Sequence, residues 1–137
     1  MGIDVTLISN IEKVAADIEK TAKSRMEAAV MEVRNEVLII LSGNRSGRIY
    51  KVPGTGVTYT ASAPGEPPAQ RLGELRQSIA TEVEGIGKDI VGRVGTDKIQ
   101  GKMTEFGTRN MAARPWLRPT FERMAGKVQE IFISQWF

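Results

Sequence analysis

IEKVAADIEKTAKSRMEAAVMEVRNEVLII, residues 11–40, is the stretch that decides the architecture. Ile11, Ala15, Ile18, Ala22, Met26, Ala29, Val33, Val37 and Ile40 recur at intervals of three or four. Twenty-nine positions in eight steps is about 3.6 residues per step, the α-helical period. Glu12, Lys13, Glu19, Lys20, Lys23, Glu27, Arg34 and Glu36 fall mostly off that stripe, so the helix is amphipathic. Ser9 and Glu12 have capping-box spacing, in which each side chain satisfies an orphan amide, and this predicts a start at Ser9. Ser42-Gly43-Asn44 predicts the stop, with glycine in the left-handed end conformation. Such a helix is ~45–50 Å long at ~1.5 Å per residue, more than the ~30 Å span of a small domain. Part of its stripe should therefore lie on something further, either the domain's own sheet or a neighbouring subunit. A coiled-coil seam would keep a period near ~3.5, and this one drifts longer.

Downstream, the period changes. Arg48-Ile49-Tyr50-Lys51-Val52 and Val57-Thr58-Tyr59-Thr60 are β-branched and aromatic, and Pro53-Gly54-Thr55-Gly56 supplies the turn of a hairpin. The lead-in from Asn44 to Arg48 is expected to be mobile. Ala61 to Gln70 is proline-rich and should run extended over the surface. Leu72 and Leu75 share a face of a short helix or turn. Ile79, Thr81 and Val83 alternate with Ala80, Glu82 and Glu84, and Ile90, Gly92 and Val94 continue across a Gly85-Ile86-Gly87-Lys88 turn as a second hairpin. Residues 98–106 predict a short helix ending at Gly107. After a loop, Pro119 suits the first turn of a last helix with Phe121, Met124, Val128, Ile131 and Phe132 on its apolar face. Trp136 and Phe137, two aromatics together, are expected to dock. The order predicts an α+β fold, an antiparallel β-sheet from two hairpins packed against a long N-terminal helix and a C-terminal helix. One domain covers 1–137: the long helix at 1–43, hairpins and proline-rich loop at 44–97, and short helix, loop and C-terminal helix at 98–137.

Composition limits the chemistry. With 137 residues there is material for about one core. The chain has no cysteine and no histidine, which removes disulfides, thiolate sites, the usual proton shuttle and Ser–His–Asp or Cys–His catalysis. Met1-Gly2-Ile3-Asp4 does not read as a leader, and the aliphatic run Val37 to Leu41 is far below the ~20 residues that cross a bilayer, so a soluble protein without membrane association is expected. Lys23-Ser24 are adjacent on a helix and point apart. Glu82, Glu84 and Asp89 flank a hairpin tip as solvated edge charge, without the ligand clustering of a calcium or magnesium site. Gly85-Ile86-Gly87-Lys88 is a turn and not a phosphate loop, because Glu82 and Asp89 stand where glycine and a hydroxyl are required. No catalytic residue, cofactor or metal is expected. Net charge is +3. Arg45, Arg48 and Lys51 surround one loop, and Arg109, Arg114, Arg118, Arg123 and Lys127 populate the last third. They are either a solvated, partner-pairing surface or, as the alternative function, a basic DNA-binding or packaging-associated module. Aromatic interleaving of the kind that stacks single strands is absent.

Two stretches are more specific. Ser62-Ala63-Pro64-Gly65-Glu66-Pro67-Pro68-Ala69 precedes Leu72-Gly73-Glu74-Leu75-Arg76-Gln77-Ser78-Ile79. Val94-Gly95-Thr96-Asp97, Glu105-Phe106-Gly107-Thr108 and Met111-Ala112-Ala113-Arg114-Pro115-Trp116-Leu117-Arg118-Pro119 then follow in order. This series, from about Arg45 to Phe121, resembles the signatures of the phage neck or tail-completion (head–tail joining) proteins similar to the gene-ten product of phage HK-ninety-seven. Gln100 and Thr104 depart from the family pattern, which has an aromatic and an aliphatic there. The resemblance implies a non-catalytic virion subunit that forms a homo-oligomeric ring, expected as a hexamer. The ring would sit in the neck between the head-closure or adaptor proteins and the tail terminator or tail tube, with DNA passing through its bore without specific recognition. It also implies interface roles for Arg45, Arg48, Pro64, Glu66, Pro67, Glu105, Gly107, Arg114, Trp116 and Arg118. For Trp116 two readings stand: an interface anchor, or intramolecular core. Arg114 and Arg118 are either bidentate partners of carboxylates across an interface or plain surface. The proline-rich and arginine loops are expected to make contacts above or below the ring.

Overall fold

The computed structural model describes residues 2–71, 73–85 and 89–134, with side chains from Ile11 onward. Helix α1 spans Gly2–Ser42, strands β1 Ile49–Lys51 and β2 Thr58–Thr60 form one hairpin, and α2 is Glu74–Gln77. Strands β3 Ala80–Glu84 and β4 Val91–Gly95 form the second hairpin, followed by α3 Ile99–Phe106 and α4 Arg118–Ile133. The fold is α+β as expected, with the strands in two separate two-stranded antiparallel ladders. Ile49 pairs with Thr60 in the first, and Ala80 with Gly95 in the second. Leu72, the Ile86–Lys88 tip, Trp136 and Phe137 lie outside the described residues.

The core is built on the C-terminal half of α1. Val30, Val33, Val37 and Leu41 follow helical spacing and bury against Ile79, just before β3, Val94 of β4, Trp116 and Met124. Gly92 is required where β4 crosses α1: a Cβ there would stand 2.5 Å from Val30 Cγ1 and 2.6 Å from Met26 Sδ. Helix α4 runs antiparallel to α1. Arg123 meets Glu36 at 2.8 Å and Lys127 meets Glu32 at 3.6 Å, while the end of α4 reaches back to Arg25. The Arg25 guanidinium donates to Ile131 O at 2.7 Å and to Ser134 O at 2.8 Å, a cation placed on the carbonyl end of a helix dipole. Arg34 Nε donates to Ile79 O at 3.0 Å and ties α1 to the second hairpin.

Three expectations about α1 and its surroundings are corrected. The helix is already formed at Gly2, so Ser9 is an interior position and not an N-cap. Its stop does not use a left-handed Gly43; instead Arg45 Nη2 donates to Ile40 O at 2.6 Å and covers an orphan carbonyl. The lead-in from Asn44 to Arg48 is anchored, because Gly47 N–H donates to Ala61 O at 2.9 Å and Ala61 N–H to Arg48 O at 2.8 Å. The predicted stripe divides in two. Its C-terminal half is core, whereas Ile11 and Ile18 are exposed.

Candidate interaction surface

The residues singled out from sequence gather in two places, and most of their polar atoms are engaged within the chain. In the first, Arg45 donates to Pro68 O through Nε and Nη2, at 3.2 and 3.0 Å. Glu66 accepts from Ser46 N–H at 3.1 Å, from Ala63 N–H at 2.9 Å and from the Ser46 hydroxyl. These bonds knot the arginine loop to the proline-rich loop. The Ser46 hydroxyl, followed by the Ala63 and Ser46 amides, holds the Glu66 carboxyl down at about 2. Burial lowers the Arg45 pKa, and the charge of Glu66 opposes that shift. Pro67 is half-buried, while Pro64 and Arg48 are exposed. Of this group, Pro64 and Arg48 are the exposed members.

The second place joins α3 to α4. Glu105 Oε2 accepts from the N–H groups of Trp116 and Leu117, both at 2.8 Å, and Oε1 from Arg118 N–H at 2.9 Å. A carboxylate from one helix thus satisfies the orphan amides at the start of another. Gly107, at φ 77°, makes the turn between them possible: a Cβ would sit 2.8 Å from Ala113 N and 2.9 Å from Met111 O. Thr108 and Met111 pair across the following tight loop, and Arg114 N–H donates to Thr104 O at 2.7 Å. Thr104, one of the departures from the family pattern, donates its hydroxyl to Gln100 O and Gly101 O at 2.8 and 3.0 Å. It serves the end of α3 as a polar tie where an aliphatic would pack.

Trp116 is 1% exposed, and its Nε1–H donates to Gly101 O at 3.1 Å. Of the two readings of this residue, the packing is that of intramolecular core. Glu105 is likewise spent internally. Arg118 is exposed and, among the described residues, its side chain pairs with Glu122 alone, at 3.1 Å. Arg114 is half-buried, and its Nε has no hydrogen-bond partner among the described residues.

The apolar surface that remains outside was not singled out from sequence. On α3, Ile99, Met103 and Phe106 stand at i, i+4 and i+7 and are exposed, Phe106 by 75%. Phe121, placed by sequence on the apolar face of α4, is exposed, at 45%. With Leu117, Phe106 and Phe121 line an open groove of ≈ 530 Å³ floored by Trp116 and edged by Lys98, Lys102 and Arg118. The first hairpin exposes Ile49, Tyr50 and Val57, with Tyr50 stacked on Tyr59 at 6.0 Å. The 99/103/106 spacing was available in the sequence; the exposure of those residues was not. Among the described residues no helix is long and apolar enough to cross a membrane.

No protein-family model matches the chain, and no match was found among curated proteins or solved structures.

Proposed function

We propose that the chain is a non-catalytic structural subunit of a tailed-phage neck, acting as one copy of a homo-oligomeric ring that joins the head connector to the tail. In this reading it works in the virion neck, between head-closure or adaptor proteins and the tail terminator or tail tube, and DNA passes through the bore without base recognition. The ordered motifs between Arg45 and Phe121 support it. The observation that carries it is the placement of exposed apolar surface in separate patches, the α3 stripe with Phe121 and the N-terminal half of α1. A ring closed by head-to-tail contacts needs two different, complementary patches on each copy.

The basic composition does not favour a DNA-binding module. Arg25, Arg34, Arg45 and Arg76 hold backbone carbonyls or hydroxyls of their own chain, while Arg93, Arg118 and Arg123 face its carboxylates. Cations used in this way do not form the single phosphate-facing stripe that nucleic-acid binding concentrates. Light scattering of the purified chain, electron microscopy of the product and DNA binding across a salt series test the proposal. It expects particles several times the 15.0 kDa chain mass, ring-shaped in projection, with weak DNA affinity. A strictly monomeric protein whose DNA binding falls steeply with salt would replace it with the alternative.

A further inference from the structure

We infer that the neighbour contact is made by the N-terminal half of α1, which docks from a second copy of the chain into the groove between α3 and the start of α4. The inference rests on the ring reading and specifies which surfaces meet.

Helix α1 outruns its own body. Residues 11–18 are all exposed, and the described part of α4 ends at the level of Arg25. From Gly2 to Ile18 the helix is ~25 Å long at ~1.5 Å per residue. At about 100° per residue, Ile11, Val14 and Ile18 fall within an arc of roughly 60°, closed by Ala15 and Ala22. Glu12 and Asp17 take the two shoulders of that arc, and Lys13 and Lys20 fall on the opposite side. The overhang therefore presents an apolar stripe with acidic edges.

The groove has the opposite character. Phe106, Leu117 and Phe121 supply apolar walls, and Lys98, Lys102 and Arg118 supply the edges. Against the single carboxylate that lines it, Glu105, the groove sets three cations, so its net charge stays positive. Neither Lys98 nor Lys102 forms an ion pair with a described residue. An acid-edged stripe fits a lysine-edged groove, and the same charges set its register. The first hairpin is the poorer occupant, because Arg48 and Lys51 flank its exposed Ile49 and Tyr50 and would meet like charge.

Chain direction identifies the occupant as a second copy. The overhang leaves the body at the C-terminal end of α4, whereas the groove lies at the N-terminal end of α4. The length of α4, ~24 Å for its 16 residues, separates the two patches within one molecule. Neither patch can meet its own chain's counterpart. The contact is therefore heterologous, and it repeats from copy to copy until the rotation closes.

The chain has no cysteine, so engineered thiols report this contact without background. Ala15→Cys lies at the edge of the stripe and Met103→Cys on the exposed face of α3 beside the groove. Both positions are exposed, and circular dichroism and melting curves verify that the variants fold. Mixing the two single variants with a short bismaleimide should join Ala15→Cys to Met103→Cys, and the double variant should give a ladder of multimers. Lys98→Glu with Lys102→Glu should lower the yield about tenfold or more, and adding Glu12→Lys with Asp17→Lys should restore it. Products joining only Ala15→Cys to itself would show α1 pairing with α1 and overturn the inference. Oligomers by light scattering without any Met103→Cys product would overturn it while leaving the ring reading intact. A chain that stays monomeric at its highest soluble concentration would remove both.

Discussion

Replacing Glu105 by alanine isolates the connection between α3 and α4. In the wild-type chain its carboxylate accepts three amides, from Trp116 and Leu117 at 2.8 Å and Arg118 at 2.9 Å. Losing a side-chain cap costs about 1 kcal/mol, and removing a negative charge from the first turn of a helix costs up to about 1 kcal/mol more. Leaving partly buried amides without a strong acceptor brings the total to about 2–3 kcal/mol. The unfolding entropy is about 2.1 cal/mol/K per residue, or ~0.29 kcal/mol/K for 137 residues, so the midpoint should fall by about 7–10 °C. Glu105→Gln keeps one acceptor oxygen and no charge, and should fall between the two. Scanning calorimetry at neutral pH measures all three proteins, with Glu122→Ala as the control, because its exposed pair with Arg118 contributes less than ~1 kcal/mol. Should Glu105→Ala melt within about 2 °C of the wild type, the carboxylate does not hold the start of α4 and the argument built on it is wrong.

Glu66 provides a pH-dependent counterpart. Its folded-state pKa of about 2 lies below the ordinary 4.5, so its contribution is fully present above pH 4.5 and lost as pH falls through about 2. Wild type and Glu66→Gln should therefore differ most above pH 4.5 and converge towards pH 2, as followed by urea midpoints; a gap independent of pH would exclude the mechanism. Gly107→Val should cost about 2–4 kcal/mol, since the position has φ 77° and a Cβ would press on Ala113 N at 2.8 Å. An unchanged melting curve for that variant contradicts the turn geometry. Trp116→Ala should cost about 3–5 kcal/mol through the cavity it leaves, and strand Gly101 O without its indole donor. Loss of oligomers at full chemical stability would return Trp116 to the interface.

The features legible in the sequence were those carried by periodicity. The α1 stripe, the alternation in 79–84 and the turn chemistry at 53–56 each express a repeat that backbone geometry imposes on any chain. Local capping chemistry was less informative. Ser9 and Glu12 have the spacing of a helix start, yet α1 is already formed at Gly2, because a nucleated helix extends through a residue that merely tolerates being a cap. Gly43 likewise resembles a C-cap, but Arg45 provides the stop from two residues further on. The candidate site was least legible. That Glu105 closes the start of α4 from eleven residues away, and that Phe121 faces solvent while Met124 of the same helix is buried, both depend on how α3 meets α4. Side-chain type at helical spacing identifies an apolar face, but not what covers it.

Several of the site residues implied by resemblance are engaged within the chain, and this bears on where an assembly surface should be sought. Glu105, Gly107 and Trp116 join α3 to α4, and by joining them they form the groove in which Phe106 and Phe121 are presented. A change in this lock acts on any contact in the groove through the shape of its walls. The residues that would touch a neighbour under the proposal are the exposed Ile11, Val14, Ile18, Lys98, Lys102 and Phe106, whose two lysines form no ion pair with a described residue. The two sets separate experimentally. A domain holding 5–15 kcal/mol remains almost wholly folded after losing about 3 kcal/mol, so an assembly defect in Glu105→Ala well below its melting point reports groove geometry and not unfolding. Lys98→Glu and Lys102→Glu, by contrast, should change assembly while leaving the melting curve where it was, since surface charges away from packed contacts usually alter stability by no more than about 0.5 kcal/mol. A lysine variant that lost stability and assembly together would place these side chains within the lock and not at its rim.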